Sequence, residues 1–405
     1  MAVDNDYPHE PFTIGKLWTD KHYRGILIQI VTLVVVLTVI GIMVRNVQAN
    51  FEELGKTFSF SFLWDLPASY DINQCFFAYD KSMPHFYAAA CGALNTLAVA
   101  IIGCVCATII GFIFGVLRLS SNWLVNRIAY WYLEFMRNVP VLLHILFWWG
   151  AVVNLAPSVR PLLNDLRESG EVPGSFFITN RGFIMPRPLF EDGFGIVMLA
   201  VLVAVVAIIF LARWAAKRQE ATGEQFPVFL TSLGIFFGLP LLTFFAMGSP
   251  LSFEYPEVGR FNFQGGTSIS PEMFALTFAL TIYTSAFIGE IVRAGIQAIN
   301  KGQWEASGAL GLSRGQTLRK VVIPQAMRVI VPPLTSQYLN LTKNSSLAIA
   351  VGYMDIVATL GGITLMQTGK EMETIMLLMV FYLTISLTIS LFMNWYNRAI
   401  ALKER

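Results

Sequence analysis

The sequence predicts an all-α polytopic membrane protein, a bundle of about eight transmembrane helices. Three observations predict it. Of 405 residues, 55% are hydrophobic and 13% charged, with a mean hydropathy of +0.59; soluble domains carry about 25% charged residues. Uncharged stretches recur at about the 20 residues needed to cross about 30 Å of hydrocarbon. The basic residues are distributed unevenly between alternate connecting segments, as the positive-inside rule requires.

The spans follow in order. Residues 25–44 carry no charge. Val47-Gln48-Ala49 resembles a signal cleavage site, but Asp4, Asp6, Glu10 and Asp20 precede the stretch. Its apolar core also exceeds the roughly 7–15 residues of a signal peptide. It reads as a retained anchor. Residues 86–117 are uncharged and longer than one span, so they tilt or protrude. Residues 129–155 are apolar but interrupted by Glu134, Arg137 and Pro140. Residues 193–212 and 228–247 are further spans. Residues 272–298 are apolar until Glu290 and Arg293, and residues 374–396 throughout. The weakest span, 329–356, holds Pro332, Pro333, Asn340 and Lys343.

Eight alternating spans with both termini in the cytoplasm place sixteen of the 28 basic residues inside and nine outside, leaving Arg137, Arg293 and Lys343 within spans. Deleting the weak span would move Arg398, Lys403 and Arg405 outside, so the charge rule supports it. The outer loops, around 45–85, 155–192 and 248–271, are rich in Pro, Gly, Asn and aromatic residues. They read as short structured excursions rather than domains.

Several chemistries find no support. A phosphate-cradling loop needs Gly-x4-Gly-Lys-Ser/Thr; at Gly55-Lys56-Thr57 the required first glycine is Asn50. His9, His22, His85 and His144 are scattered without metal-ligand spacing, and no Gly-x-Ser-x-Gly elbow is present. Nothing suggests catalysis, a bound metal or a nucleic-acid partner. Cys91, Cys104 and Cys106 lie in one apolar stretch and Cys75 in a polar loop. They read as small core residues, with a Cys75–Cys91 disulfide on the outer face as the alternative.

The loop after the sixth span carries the strongest signal. It reads Gly302-Gln303-Trp304-Glu305-Ala306-Ser307-Gly308-Ala309-Leu310-Gly311-Leu312-Ser313, and continues through Arg314, Arg319 and Lys320 to Val321-Val322-Ile323-Pro324. A short helix over 304–310 would place Ala306, Ala309 and Leu310 on one side. Gly311 would end it in a left-handed conformation, and Ser313 would cap a second helix. Pro324 would then reset the chain before the next span. The result is either a helical knob suited to a groove on a partner or an ordinary cytoplasmic loop.

The string resembles the EAA loop of ABC importer membrane subunits, Glu-Ala-Ala, three residues, Gly, nine residues, Ile-x-Leu-Pro. Glu305, Ala306, Gly311 and Pro324 fit this spacing, while Ser307, Val321 and Ile323 depart from it mildly. Glu290-x-x-Arg293-Ala294-Gly295-Ile296-Gln297, Pro324-Gln325-Ala326, Pro332-Pro333, Asn340 and Lys343-Asn344-Ser345-Ser346-Leu347 are similar to the polar amino-acid uptake permeases. Glu134-x-x-Arg137-x-x-Pro140 resembles their second core helix. The resemblance covers roughly residues 86–155 and 271–400. The extra N-terminal span and an insertion of about 115 residues resemble a membrane subunit of the general L-amino-acid importers of Gram-negative bacteria.

The resemblance implies a type I ABC importer permease fold in the bacterial inner membrane. It divides the chain into a tail, anchor and outer loop (1–85), a first core part (86–155), an insertion with two spans (156–270), and a second core part (271–405) carrying the coupling loop at about 300–325. It implies alternating-access uptake of L-amino acids, with ATP and Mg bound by a partner ATPase dimer and not by this chain. A periplasmic binding protein and a second permease subunit, a different chain in preference to a second copy, are the other implied partners. Coupling falls to Gln303 through Gly311 (Gln303, Trp304, Glu305, Ala306, Ser307, Gly308, Ala309, Leu310 and Gly311) and Pro324. The rival class is an ion-coupled transporter or channel working without an ATPase.

Two pairs within spans, Glu134/Arg137 and Glu290/Arg293, place opposite charges at i,i+3 on one helix face. They read either as an inner gate or docking network, or as ion pairs snorkelling to the headgroups. Lys343, Asn344, Ser345 and Asn340 lie in a Pro-broken span. Such segments present backbone groups and helix ends to ligands, so these residues are candidates for the substrate path or for hydrogen bonds between helices.

Overall fold

The structure, a computed structural model, describes residues 15, 18, 20–169 and 176–400, the side chains of His22 and Ile400 excepted. It divides into two units, Met1–Ser61 and Phe62–Arg405. The first contains helix α1 (Lys21–Glu53), built from β-branched residues and leucine whose side chains stay exposed along its length. Hydrocarbon is the solvent that suits such a surface.

The second unit is a helix bundle. Besides the single turns Phe62–Asp65 and Leu365–Thr368, its α-helices are α2 (His85–Leu117), α3 (Trp123–Asn138), α4 (Val141–Leu155), α5 (Val159–Ser169), α6 (Phe194–Thr222), α7 (Val228–Ala246), α8 (Pro271–Gln297), α9 (Lys301–Ala309), α10 (Arg314–Thr317), α11 (Ile323–Asn344) and α12 (Glu371–Ile400). Among the described residues, seven helical segments are long and apolar enough to cross a membrane: Tyr23–Glu53, His85–Leu117, Val141–Ser169 (α4 followed by α5, interrupted at 156–158), Phe194–Thr222, Val228–Ala246, Pro271–Gln297 and Glu371–Ala399.

Two expected spans need correction in detail. Residues 129–155 are not one helix. Pro140 disfavours the helical region for the residue before it, and Val139 is extended at φ −95°, ψ 130°, so α3 ends at Asn138 and α4 restarts behind the proline. The segment at 329–356 is absent from the seven, because its polar residues dilute it. It folds as α11, continues as a 3-10 helix (Ser345–Val351), and is followed by a π-helix (Val357–Thr364). It nonetheless runs from one end of the bundle to the other. Its start follows α9, which lies beyond the C-terminus of α8. Beyond its end, Thr364 Oγ1 meets His85 Nδ1 at 3.0 Å, at the first residue of α2.

The core is the packing of α2 on α8. Without a hydrophobic force between helices in lipid, close backbone approach supplies the attraction. Gly115 allows it: a Cβ there would stand 2.7 Å from the Gly289 carbonyl oxygen and 2.7 Å from Val292 Cβ. Tyr132 of α3 joins the same pair, its hydroxyl 2.7 Å from Ser285 Oγ. α8 starts on a Ser270 cap, with Pro271 in its first turn and Met273 N donating to Ser270 Oγ at 3.2 Å.

Seven short strands lie in the loops around α5 and before α8: β1 (Phe177–Thr179), β2 (Gly182–Met185), β3 (Arg187–Phe190), β4 (Leu251–Glu254), β5 (Glu257–Val258), β6 (Phe263–Gln264) and β7 (Thr267–Ile269). All pair antiparallel, as β1-β2-β7, β3-β4 and β5-β6. The β2–β7 and β3–β4 ladders join the segments before and after the α6–α7 hairpin. Both segments therefore lie at one end of the bundle, and α6 and α7 cross as a pair.

The loop before α2 folds onto the same end. Asn95 Nδ2 donates to the carbonyls of Gln74 and Met354 at 2.8 Å each, and Ser270 N donates to Gln74 Oε1 at 3.3 Å. Here the core reading of two cysteines is corrected: Cys75 and Cys91 form a disulfide, while Cys104 and Cys106 are free and half-buried. Burial of Asn95 draws the Cys75 loop against α2 and brings the thiols together, a contact that residue types alone did not decide.

Candidate coupling loop and translocation face

The loop between α8 and α11 begins at Asn300, whose side chain accepts from Gly302 N at 2.8 Å and starts α9. Gly311 ends the helix at φ 74°. Leu312 N donates to Ser307 O at 3.1 Å and Gly311 N to Gly308 O at 2.9 Å, the paired bonds of a Schellman end. Ser313 and Gln316 then form a reciprocal capping box for α10.

The faces of α9 are inverted for a helix lying on a protein. Trp304 is half-buried and Ser307 buried against the bundle, Ser307 Oγ donating to Gln303 O at 2.7 Å. Ala306, Ala309 and Leu310, at helical spacing on the other side, are exposed, Leu310 by 81%. Glu305, Gly308 and Gln303 are exposed as well. Gln303 Oε1 accepts from Gln325 Nε2 at 3.0 Å, tying α9 to the first turn of α11. Nothing in the residue pattern beyond the presence of Gln325 signals that bond.

The expected break at Pro324 does not occur. A proline inside a helix lacks a donor and collides with the carbonyl four residues back. The preceding five residues, Leu318–Val322, widen into a π-helix instead, and the chain passes through Pro324 into α11 without a turn. The rod from α10 to Asn344 is therefore continuous.

The two charged pairs form as expected. Arg293 grips Glu290 with two bonds, Nε to Oε2 at 3.0 Å and a terminal nitrogen to Oε1 at 2.5 Å, and donates to Gln297 Oε1 at 2.6 Å. Arg137 lies 3.8 Å from Glu134, and its guanidinium sits over the Phe287 ring of α8 at 5.7 Å. The pairs are not independent: Arg137 of α3, and Arg118 at the end of α2, also act electrostatically on Glu290 of α8. Glu290 lies seven residues before the end of α8, about 10 Å from the coupling loop at 1.5 Å per residue. Half-exposed pairs of this kind add little stability.

The substrate-path candidates divide. Asn340 and Lys343 are exposed one turn apart on α11, in line with exposed Pro333 and Ser336. Asn344 is half-buried. Ser345 is fully buried, its hydroxyl donating to Thr342 O at 2.7 Å, and so faces the bundle rather than the stripe. Ser336 was missed because a lone serine in a span carries no signal until the helix phase is known. Asp355, also missed, is fully buried and caps the following helix, Oδ1 accepting from Ala358 N at 2.8 Å. Among the described residues no group of acidic, histidine or cysteine side chains could hold a metal ion.

The sequence is similar to those of known proteins. Residues 225–405 match the family described as binding-protein-dependent transport system inner membrane component. The chain is 45% identical over 386 residues to the general L-amino acid transport system permease protein AapQ of Rhizobium johnstonii, covering 95% of this chain and 94% of that one. It is 46% identical over 429 residues to the glutamate/glutamine/aspartate/asparagine transport system permease protein BztB of Rhodobacter capsulatus, covering all of both. A solved amino acid ABC transporter structure with histidines superposes at a TM-score of 0.44 and 18% identity, over 78% of this chain and 95% of that one.

Proposed function

Because this chain belongs to the binding-protein-dependent transport system inner membrane components, we propose that it forms one half of an ATP-driven path importing L-amino acids across the bacterial inner membrane. The relatives' names supply the substrate class. ATP binding and hydrolysis belong to a separate ATPase dimer, and this chain performs no catalysis. A binding protein delivers the amino acid at the end bearing the strands, and both termini of this chain lie in the cytoplasm. The second half of the path is a different permease subunit.

The exposed apolar face of α9 supports this reading most directly. Ala306, Ala309 and Leu310 form one contiguous exposed apolar face on α9, the kind of patch that marks a site of contact with a partner. A groove on each ATPase subunit would receive Ala306, Ala309 and Leu310. Closure of the ATPase dimer on ATP would then move α9, and with it α8 through the short 298–300 turn and α11 through Gln303–Gln325. The Glu290, Arg293, Glu134 and Arg137 cluster lies on that route, where a change in the angle between α3 and α8 would remake it as an inner gate. The stripe of Ser336, Asn340 and Lys343 lines the path, with Lys343 meeting the substrate carboxylate. An ion-coupled transporter acting alone has no use for the knob.

Leu310→Asp tests the reading. Replacing an apolar anchor with a charge in a desolvated pocket costs about 2 kcal/mol or more. Co-purification of the ATPase from detergent should fall by tens-fold while the chain itself is recovered in normal yield. Undiminished co-purification would remove α9 as the docking element.

A further inference from the structure

The insertion contains a cleft that the transport path does not use. It measures about 540 Å³ and is lined by Arg160, Leu163, Asn164, Arg167, Arg181, Arg260 and Phe261. Arg160, Leu163, Asn164 and Arg167 share one face of α5 by helical spacing. Arg181 comes from the β1–β2 turn, and Arg260 and Phe261 from the β5–β6 turn. Three separate segments thus converge four guanidinium groups on one concavity.

Two of the four are fixed. Arg167 donates to the carbonyls of Gly259 and Arg260, the latter at 3.0 Å, and Arg181 donates to the Phe261 carbonyl at 3.2 Å. Arg260 lies against the Phe261 ring, 5.4 Å from its centroid, and Arg160 extends from the first turn of α5. Among the described residues, none of the four pairs with a carboxylate. Four like charges with no carboxylate partner among the described residues repel one another unless an anion joins them, and guanidinium forks match carboxylates in bidentate geometry.

The position identifies the anion's source. β7 leads directly into the Ser270 cap, so the cleft stands at the opposite end of α8 from α9. That helix is 27 residues, about 40 Å at 1.5 Å per residue. No residue of α2, α6, α7, α8 or α12 lines the cleft, so a lipid headgroup seated there would have no apolar groove for its chains. One free amino acid carries too little negative charge to neutralise four arginines. We propose that this cleft is a docking site for a cluster of acidic side chains on the binding protein that delivers the substrate. The proposal rests on the reading that such a protein delivers substrate at this face. Its effect lies in encounter and alignment, which rim charges govern.

The test uses the full complex in proteoliposomes, with ATP inside and the loaded binding protein titrated outside. Uptake of labelled amino acid is read at low and high ionic strength for wild type, Arg160→Glu/Arg260→Glu and Arg160→Lys/Arg260→Lys. Charge reversal should raise the half-saturating concentration of binding protein about tenfold or more and flatten its salt dependence. Maximal uptake and basal ATP hydrolysis should be retained, which also reports intact folding. The lysine variant should stay close to wild type. An unchanged half-saturating concentration in the reversed variant overturns the proposal. So does a defect that follows the anionic lipid content of the vesicles and not the binding-protein concentration. Wild-type uptake that needs no binding protein would sink the delivery reading itself, whatever the arginines do.

Discussion

Gly311 shows how one residue sets the shape of the coupling loop. Its φ of 74° costs other residues about 1–2 kcal/mol, more for a β-branched side chain whose γ atoms crowd the backbone. A Cβ at this position would meet no neighbour within 4 Å, so the cost is conformational alone. Gly311→Val should leave the chain inserted and distort only the knob. Uptake per ATP hydrolysed should fall several-fold, measured as the ratio of the two rates; a wild-type ratio would detach the loop from coupling. The glycine was legible from its place after an apolar helical run. Lys343 was legible as a charge in a span, but its exposure depended on the rotation of α11, which also turned Ser345 away. Lys343→Met should lower uptake far more than it lowers the yield of intact complex. Parallel loss of both would make Lys343 a bundle contact.

At the scale of elements, apolar length located the strongly hydrophobic helices, because in hydrocarbon length and apolarity are the requirement, though α1 ran nine residues past its expected end. α6 ran ten residues past its expected end, carrying Arg213, Lys217 and Arg218. Elements governed by long-range pairing were not legible. β2–β7 and β3–β4 join segments separated by the whole α6–α7 hairpin, so each loop read singly suggested a short structured excursion without revealing its partner strand. The π-helix before Pro324 was missed for a related reason: a proline signals either a break or an accommodation, and packing decides which. The disulfide belongs to this class too. Thiol labelling of the denatured, unreduced protein should modify Cys104 and Cys106 and spare Cys75 and Cys91. Labelling of all four would return Cys75 and Cys91 to the core-residue reading.

At the largest scale, the unit Phe62–Arg405 is organised by its two ends. At one stand the strands, the disulfide-tethered loop and the Thr364–His85 contact. At the other stand α9 and the turn from α2 into α3, where Arg118 donates to Asn126 Oδ1 at 2.7 Å. The expected division of inside and outside, and the weak span at 329–356, rest on charge bias rather than apolarity, because insertion reads flanking lysine and arginine as well as the span itself. Cysteines introduced at Asn50 and Gly369 should react with an impermeant reagent from outside, and one at Gly315 only from the cytoplasm. Labelling of Gly369 solely from inside would remove α11 as a crossing. The central claim is that this bundle moves amino acids by the work of an attached ATPase. Its most direct test is uptake of labelled L-amino acids into proteoliposomes holding the purified complex and saturating binding protein. Uptake should require internal ATP, persist when ionophores collapse all ion gradients, and disappear with Leu310→Asp; uptake driven by an ion gradient without ATP would contradict it.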